Sequence, residues 1–317
     1  MATAQREDVR HGRKARMSPS NDTGLLETLQ RFWHKSYAGD YTAFILLVVL
    51  EVLLKVFDEP FHQLFRLDDP RIQYPHAEVE RVPVFWLFFY AGGLPLIIVV
   101  VWTLIWRRDV HKAHVSILGL ATSVLLTSFL TDVIKDAVGR PRPDLIARCS
   151  PDISTPKNEL VGVEVCTETI HHVLHDGWRS FPSGHSSFSF AGLGYLSLFF
   201  ASQTHLMHPR TSLLTVLLCI APLLGAALIA ISRLEDYRHD KEDVTVGAIL
   251  GLLVAYFTWR RYYPGLLDKH SDEPYSMPTK SGIAGPNDGF QRVRDEEEAY
   301  GIDEDGPAGY GARDGPR

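Results

Sequence analysis

The 317-residue chain carries 32 lysines and arginines against 38 aspartates and glutamates, and three cysteines. Its net charge of −6 resides in residues 268–317, which hold 12 acidic and 6 basic side chains, so the remainder is neutral and offers no basic stripe for nucleic acid. Three cysteines are too few for a disulfide scaffold, and apolar residues gathered into long uncharged blocks exclude an ordinary soluble globule.

Residues 1–40 are charged and polar, show no cleavable signal peptide and read as a cytosolic segment. Six spanning helices are expected after them, at 41–57, 82–106, 115–135, 185–203, 212–232 and 244–262. A hydrocarbon core about 30 Å thick needs roughly 20 helical residues. The 25 uncharged residues of 82–106 and the 21 of 212–232 meet that length. The first helix is interrupted by Glu51 and Lys55, which lie four apart and can pair on one helix face. Trp86, Trp102 and Trp106 suit interfacial anchors on the second. The sixth has only 16 uncharged residues before Arg260-Arg261 and must use its ends or sit in a thinned region. Glycines inside these runs, Gly192 and Gly251 among them, suit close helix packing better than chemistry. The tail from 264 to 317, with Glu296-Glu297-Glu298 and Asp303-Glu304-Asp305, is expected to be disordered and solvated. The expected architecture is thus all-α: a polytopic six-helix membrane domain at 41–263, between a polar segment at 1–40 and an acidic tail.

Three short blocks carry the chemistry: Lys135 with Arg142-Pro143, Pro182-Ser183-Gly184-His185, and Ser232-Arg233 with His239 and Asp243. Counting crossings brings them together. The first block ends helix three, where Pro141 and Pro143 stop it. The second opens helix four, and the third follows helix five, so all three fall on one membrane face. Arg107, Arg108 and Lys112 between helices two and three, and Arg260-Arg261 after helix six, mark the opposite side as cytosolic. Both termini are then cytosolic, the Asn21-Asp22-Thr23 sequon is unused, and the motif face is lumenal or extracellular, in an endomembrane (vacuole, Golgi or endoplasmic reticulum) or the plasma membrane. Cys149 and Cys166 share the loop on that face, and the sequence leaves open whether they pair. Cys219 lies in an apolar run and suits packing.

Lys135, Arg142 and Arg233 suit a clamp on a phosphate dianion, guanidinium in forked geometry and ammonium as a point charge. Any one of them alone would read as a snorkelling residue at a helix end; it is the combined spacing that favours the clamp. Ser183-Gly184 at a loop-to-helix junction presents backbone N–H groups to an anion, though alone it would be an ordinary helix cap. His185 titrates near neutrality and can protonate a leaving oxygen. His239 and Asp243, four apart, allow a carboxylate to hold one imidazole nitrogen while the other attacks phosphorus. His171, His172 and His175 match no standard metal-ligand spacing and suit a solvated loop.

Together the blocks, with Gly139-Arg140-Pro141-Arg142-Pro143-Asp144 and Asp236-Tyr237-Arg238-His239, resemble the type-2 phosphatidic acid phosphatase superfamily, or lipid phosphate phosphatases, and its fungal diacylglycerol pyrophosphate phosphatases in particular. The resemblance covers about residues 40–265. It implies that His239 is the nucleophile forming a phosphohistidine, Asp243 its orienting carboxylate, and His185 the acid and then the base for water. It further implies that Lys135, Arg142, Ser183, Gly184 and Arg233 bind phosphate, with no metal and no cofactor, on a lipid phosphate substrate in the bilayer. Relatives often carry a second histidine and an aromatic after the nucleophile; here Asp240-Lys241-Glu242 stands there, with consequences for substrate choice or pH optimum. Phosphatidate, lysophosphatidate and diacylglycerol pyrophosphate fit the motifs. So do polyprenyl pyrophosphates, sphingoid-base phosphates and head-group transfer. An anion channel or transporter would leave Asp243 and the two histidines without a role, and a dead scaffold would be expected to lose a motif identity. Nothing in the sequence speaks to oligomeric state.

Overall fold

The computed structural model describes residues 37–57 and 59–276. The sequon at Asn21, nearly all of the 1–40 segment and the acidic clusters after residue 290 lie outside them. Six long helices stand where the sequence predicts helices: α1 (Ala38–Phe57), α2 (Val84–Trp106), α3 (Val110–Val138), α4 (Gly184–Gln203), α5 (Leu213–Glu235) and α6 (Lys241–Tyr262). Among the described residues there is no strand, only the isolated bridges Phe65–Val161 and Pro151–Cys166. Four of the helices, α2, α3, α5 and α6, are long and apolar enough to cross a membrane.

Local signals set the helix ends. Asp109 caps α3 by accepting from the Lys112 N–H at 2.9 Å. At its other end Gly139 adopts φ +58°, a left-handed cap that only glycine takes without strain, and returns its N–H to the Lys135 carbonyl at 2.9 Å. Ser212 caps α5, and α6 opens with a reciprocal box between Asp240 and Asp243. α2 contains two π-helical turns, Phe89–Gly93 and Val101–Trp106.

α4 is the central helix, packed against α3, α5 and α6 and buried almost all round. It is rich in serine and glycine, and each of its buried serine hydroxyls has a partner. Ser186 donates to the Val244 carbonyl at 2.6 Å, Ser197 to the Cys219 carbonyl at 2.6 Å, and Ser187 pairs with Thr131 at 2.8 Å. Gly192 lies against the Ala91 carbonyl and Gly251 against the Ser187 carbonyl, so close that a Cβ at either position would overlap backbone. The outer helices turn large apolar side chains outward, such as Ile45, Phe85, Leu214 and Phe257. α1 buries Glu51, which pairs with Lys55 at 2.7 Å and accepts from Ser128 at 3.1 Å. The start of α1 meets the end of α6, where Asp40 accepts from Arg261 and, at 3.0 Å, from Tyr262.

Beyond the helices, the segments 59–81 and 139–183 share a second small core of Phe65, Ile72, Leu145, Cys149 and Trp178. Cys149 and Cys166 are disulfide-bonded, which resolves the pairing the sequence left open, and Cys219 is free and buried. Residues 264–275 pack back onto the unit, with Ser271 fully buried and the Tyr275 N–H bound to the Tyr262 carbonyl at 2.9 Å.

Thiol labelling of denatured, unreduced protein should therefore modify one cysteine, and all three after reduction. Cys149→Ser should lower the thermal midpoint, a cross-link of this loop length being worth about 3 kcal/mol. Three reactive thiols without reductant would contradict the pairing.

Candidate active site

The three sequence blocks meet where the C-terminal ends of α3 and α5 approach the N-terminal ends of α4 and α6. The junction is tied by backbone: the Ser183 N–H donates to the Asp243 carbonyl at 2.9 Å, and the Ser183 hydroxyl caps α4. Gly184 lies beside Lys135, whose Cε would stand 3.6 Å from a Cβ placed there. Lys135 is buried and donates to the Arg179 carbonyl at 2.8 Å.

His239 is 5% exposed and occupies the turn between α5 and α6. Its Nδ1 faces Asp243 Oδ2 at 3.7 Å, longer than a hydrogen bond, and has no other partner. Asp243 is fully buried and held by three donors: Ser180 Oγ at 2.5 Å, Arg140 Nη1 at 2.9 Å and the Asp240 N–H at 3.0 Å. The carboxylate is thus fixed first as part of the helix cap, and His239 needs only a small approach to reach it, as often happens when a ligand tightens a site. Burial holds the His239 imidazole well below its ordinary pKa, and Arg142, Lys135, Arg233 and His185 lower it further. That set of neighbours places both histidines and all three predicted cations in one electrostatic cluster, with a neutral imidazole at its centre.

The cations are neutralised by carboxylates that no motif announced. Arg142 pairs with Asp176 at 2.7 Å, and Arg148 reaches the same carboxylate at 3.1 Å. Burial pushes the Asp176 carboxyl up, but Arg142, Arg148 and Lys135 outweigh it and bring the pKa down to about 2. Arg233, 1% exposed, binds Glu80 at 3.1 Å and the Val82 carbonyl at 3.2 Å. His185 Nε2 donates to that same carbonyl at 2.9 Å and lies 3.9 Å from Glu80. Arg142 Nε and Arg233 Nε are buried without a partner, which leaves donors in reserve for an anion. Ser232, by contrast, donates back to the Ile229 carbonyl of its own helix.

Each predicted site residue therefore lies in or beside this cluster. Sequence reasoning missed Glu80, Asp176, Ser180, Arg140 and Arg238. Arg140 was legible in part, since it stands in the same Gly-Arg-Pro-Arg-Pro run as Arg142; it bridges Asp240 at 2.9 Å, Glu242 at 3.4 Å and Asp243. The acidic stretch after His239 is thereby spent on Arg140. The loop histidines behave as ordinary surface groups: His171 and His172 are exposed, and His175 bonds His62 at 2.8 Å.

Residues 116–265 match the PAP2 superfamily. A protein of Schizosaccharomyces pombe named "Probable diacylglycerol pyrophosphate phosphatase 1" is 39% identical over 273 residues, 82% of this chain and 97% of that one. "Lipid phosphate phosphatase 2" of Arabidopsis thaliana is 40% identical over 250 residues, 78% of this chain and 83% of its own. "Diacylglycerol pyrophosphate phosphatase 1" of Saccharomyces cerevisiae is 38% identical over 260 residues, covering 80% and 90%.

A depressed histidine pKa has a definite linkage sign. Below about pH 6.5 the unfolded chain takes up a proton that folded His239 refuses, so this group withdraws stability as pH falls through that range and is neutral above it. Arg142→Gln removes the largest charge acting on His239 and should raise its pKa, read as an upward move of the His239 midpoint in NMR of histidine-labelled protein. An unmoved midpoint would show that the two do not share a field.

Proposed function

The chain belongs to the PAP2 superfamily, and from that we propose an integral membrane lipid phosphate phosphatase that removes the terminal phosphate of phosphatidate, lysophosphatidate or diacylglycerol pyrophosphate. The observation that carries this reading is the neutral, buried His239 surrounded by Lys135, Arg142 and Arg233, with guanidinium donors left unpaired. Buried cations without enough partners are costly, and a phosphoryl group supplies the acceptors they lack.

In this mechanism the clamp of Lys135, Arg142 and Arg233, with the N–H groups at Ser183 and Gly184, takes the three equatorial oxygens of the reacting phosphate. Asp243 draws in Nδ1–H of His239, leaving the Nε2 lone pair to attack phosphorus in line with the leaving oxygen. His185 gives its proton to that oxygen as the lipid alcohol departs, and a phosphohistidine remains. Water then attacks phosphorus, the P–N bond breaks, and the proton of water passes to His185, which restores the resting state. Asp240-Lys241-Glu242 acts here through Arg140, which it holds against Asp243. No step is assigned to a metal or an organic cofactor.

Six crossings are proposed, with α1 and α4 added to the four apolar helices. The connections pair as six crossings require. Segments 59–81, 139–183 and 236–240 contact one another, as in the bond from the Arg81 N–H to Asp236 at 3.1 Å and the core around Trp178. At the other ends Arg107 meets Asp272 at 3.4 Å, and Ser116 meets Tyr263 at 2.7 Å. The Cys149–Cys166 disulfide supports an oxidising, non-cytosolic setting for the site, in an endomembrane lumen or outside the cell, with both termini cytosolic.

Purified protein in detergent should release phosphate from these lipids in the presence of chelator. His239→Ala should lower the rate by about a thousandfold or more, and His185→Ala by about 10²–10⁴. An acid-labile phosphoprotein should accumulate in His185→Ala and be absent from His239→Ala. Retained activity in His239→Ala, or loss with chelator, would overturn the mechanism. A glycosylation acceptor placed between Ile153 and Leu160 should be used in microsomes; its remaining unused, with one at Arg108 modified instead, would reverse the topology.

A further inference from the structure

Two further buried cations, Arg148 and Arg238, lie beside the clamp and are not used by the mechanism above. Arg148 is held by Asp144 and Asp176, and Arg238 shares Glu80 with Arg233. Arg238 is 8% exposed, immediately precedes His239, and its Nε has no partner. Its Nη2 binds Glu80 Oε1 at 2.9 Å and donates to the Ala77 carbonyl at 3.3 Å, while Nη1 lies 3.8 Å from Asp176. The turn that carries it is braced: Tyr237 sits at φ +51° and stacks on Tyr74 with ring centroids 4.6 Å apart.

Glu80 bridges two guanidinium groups with its two oxygens, Oε1 to Arg238 and Oε2 to Arg233, much as two oxygens of a phosphate would. It stands on an irregular segment between α1 and α2 and is 23% exposed, so it can leave without unfolding a helix. Its Oε2 also lies 3.9 Å from His185 Nε2. In the proposed reaction His185 serves the leaving oxygen, so the Glu80 carboxylate occupies the leaving-group side of the site. A transferring phosphoryl group has three equatorial oxygens, and Lys135, Arg142 and Arg233 already answer them. Arg238 is left facing the leaving group. A glycerol leaving group brings no charge for a guanidinium to meet; a phosphate does.

We infer that Arg238 binds the inner, leaving phosphate of a lipid diphosphate, and that Glu80 is its resting counterion, displaced when that phosphate enters. The inference rests on the phosphatase reading and specifies its substrate class. As His239 Nε2 bonds to the outer phosphorus, the bond from that phosphorus to the bridging oxygen breaks. The electron pair stays on that oxygen, which departs as part of a phosphate monoester with its charge met by Arg238. His185 then gives its proton to the departing phosphate, which frees it to take the proton of water when the phosphohistidine is hydrolysed as before. An alkoxide cannot depart without that proton, whereas a phosphate leaves as an anion whose charge Arg238 meets.

The test compares kcat/KM for diacylglycerol pyrophosphate and for phosphatidate of the same acyl chains, in one detergent, with the full chain. Arg238→Gln should lower the diphosphate-to-monophosphate ratio of kcat/KM at least tenfold, with Arg238→Lys in between. Glu80→Gln should tighten competitive inhibition by inorganic pyrophosphate several-fold, because the ligand no longer displaces a carboxylate. An unchanged ratio in Arg238→Gln, whether both rates fall together or neither does, would overturn the assignment. Should Arg238→Gln fail to fold by size exclusion, Glu80→Gln decides, and unchanged or weaker pyrophosphate inhibition overturns it. Wild-type protein that acts on neither lipid would remove the phosphatase reading itself, whereas wild-type activity with an unmoved ratio removes only the role of Arg238.

Discussion

Burying positive charge is the constraint around which the rest of this molecule is arranged. Lys135, Arg142, Arg148, Arg233 and Arg238 are all withdrawn from solvent at the meeting point of four helices. Desolvating a cation costs several kcal/mol unless a carboxylate or a set of dipoles replaces its water. Asp144, Asp176, Asp236 and Glu80 supply that replacement, and they come from the segments between helices rather than from the helices' apolar faces. The folded loops at 59–81 and 139–183 thus have an electrostatic reason to be ordered, and their small core around Trp178 holds the carboxylates in register with the cations. Neutralisation is incomplete at single nitrogen atoms, which preserves the site's appetite for an anion.

A second constraint acts within the helix group. α4 carries the Ser-Gly junction of the site at its N-terminus and must be approached from several sides. Small residues let α2 and α6 come within backbone contact of it, at Gly192 and Gly251, and its hydroxyls bond across helix boundaries instead of demanding water. Packing of this kind leaves little freedom for one helix to slide along another, so the two halves of the site, borne by the ends of α4 and α6, keep a fixed spacing.

Legibility in the sequence follows the range of each interaction. His239 and Asp243 are four apart, and Glu51 and Lys55 likewise, so both pairs can be read from periodicity alone. Helix positions were equally readable, because uncharged runs are local, whereas the caps Asp109 and Gly139 were not read and lie outside the expected 115–135. Boundaries slipped where polar turns continued a helix: α3 begins at Val110 rather than 115, and α6 at Lys241 rather than 244. The counterions were not readable. Glu80 is 153 residues from Arg233, and nothing in its neighbours distinguishes it from Glu78. Asp176 looked like part of a solvated histidine loop until the fold set it between two arginines. Cys149 and Cys166 could be placed in one loop, but only geometry shows that they pair.

The contact between Asp40 and the Arg261-Tyr262 pair has a bearing on how the chain is made. Its partners are separated by 221 residues. At about 5–20 residues per second of synthesis, the start of α1 waits roughly 10–45 s for the end of α6. In the proposed six-span arrangement the first segment to enter the bilayer therefore does so with its terminal carboxylate unmatched, and with Ser128, the hydroxyl that later serves Glu51, still unmade. Lys55, one turn away on the same helix, is the one partner already present. That short-range pair lies within the segment itself, so its formation requires no later helix.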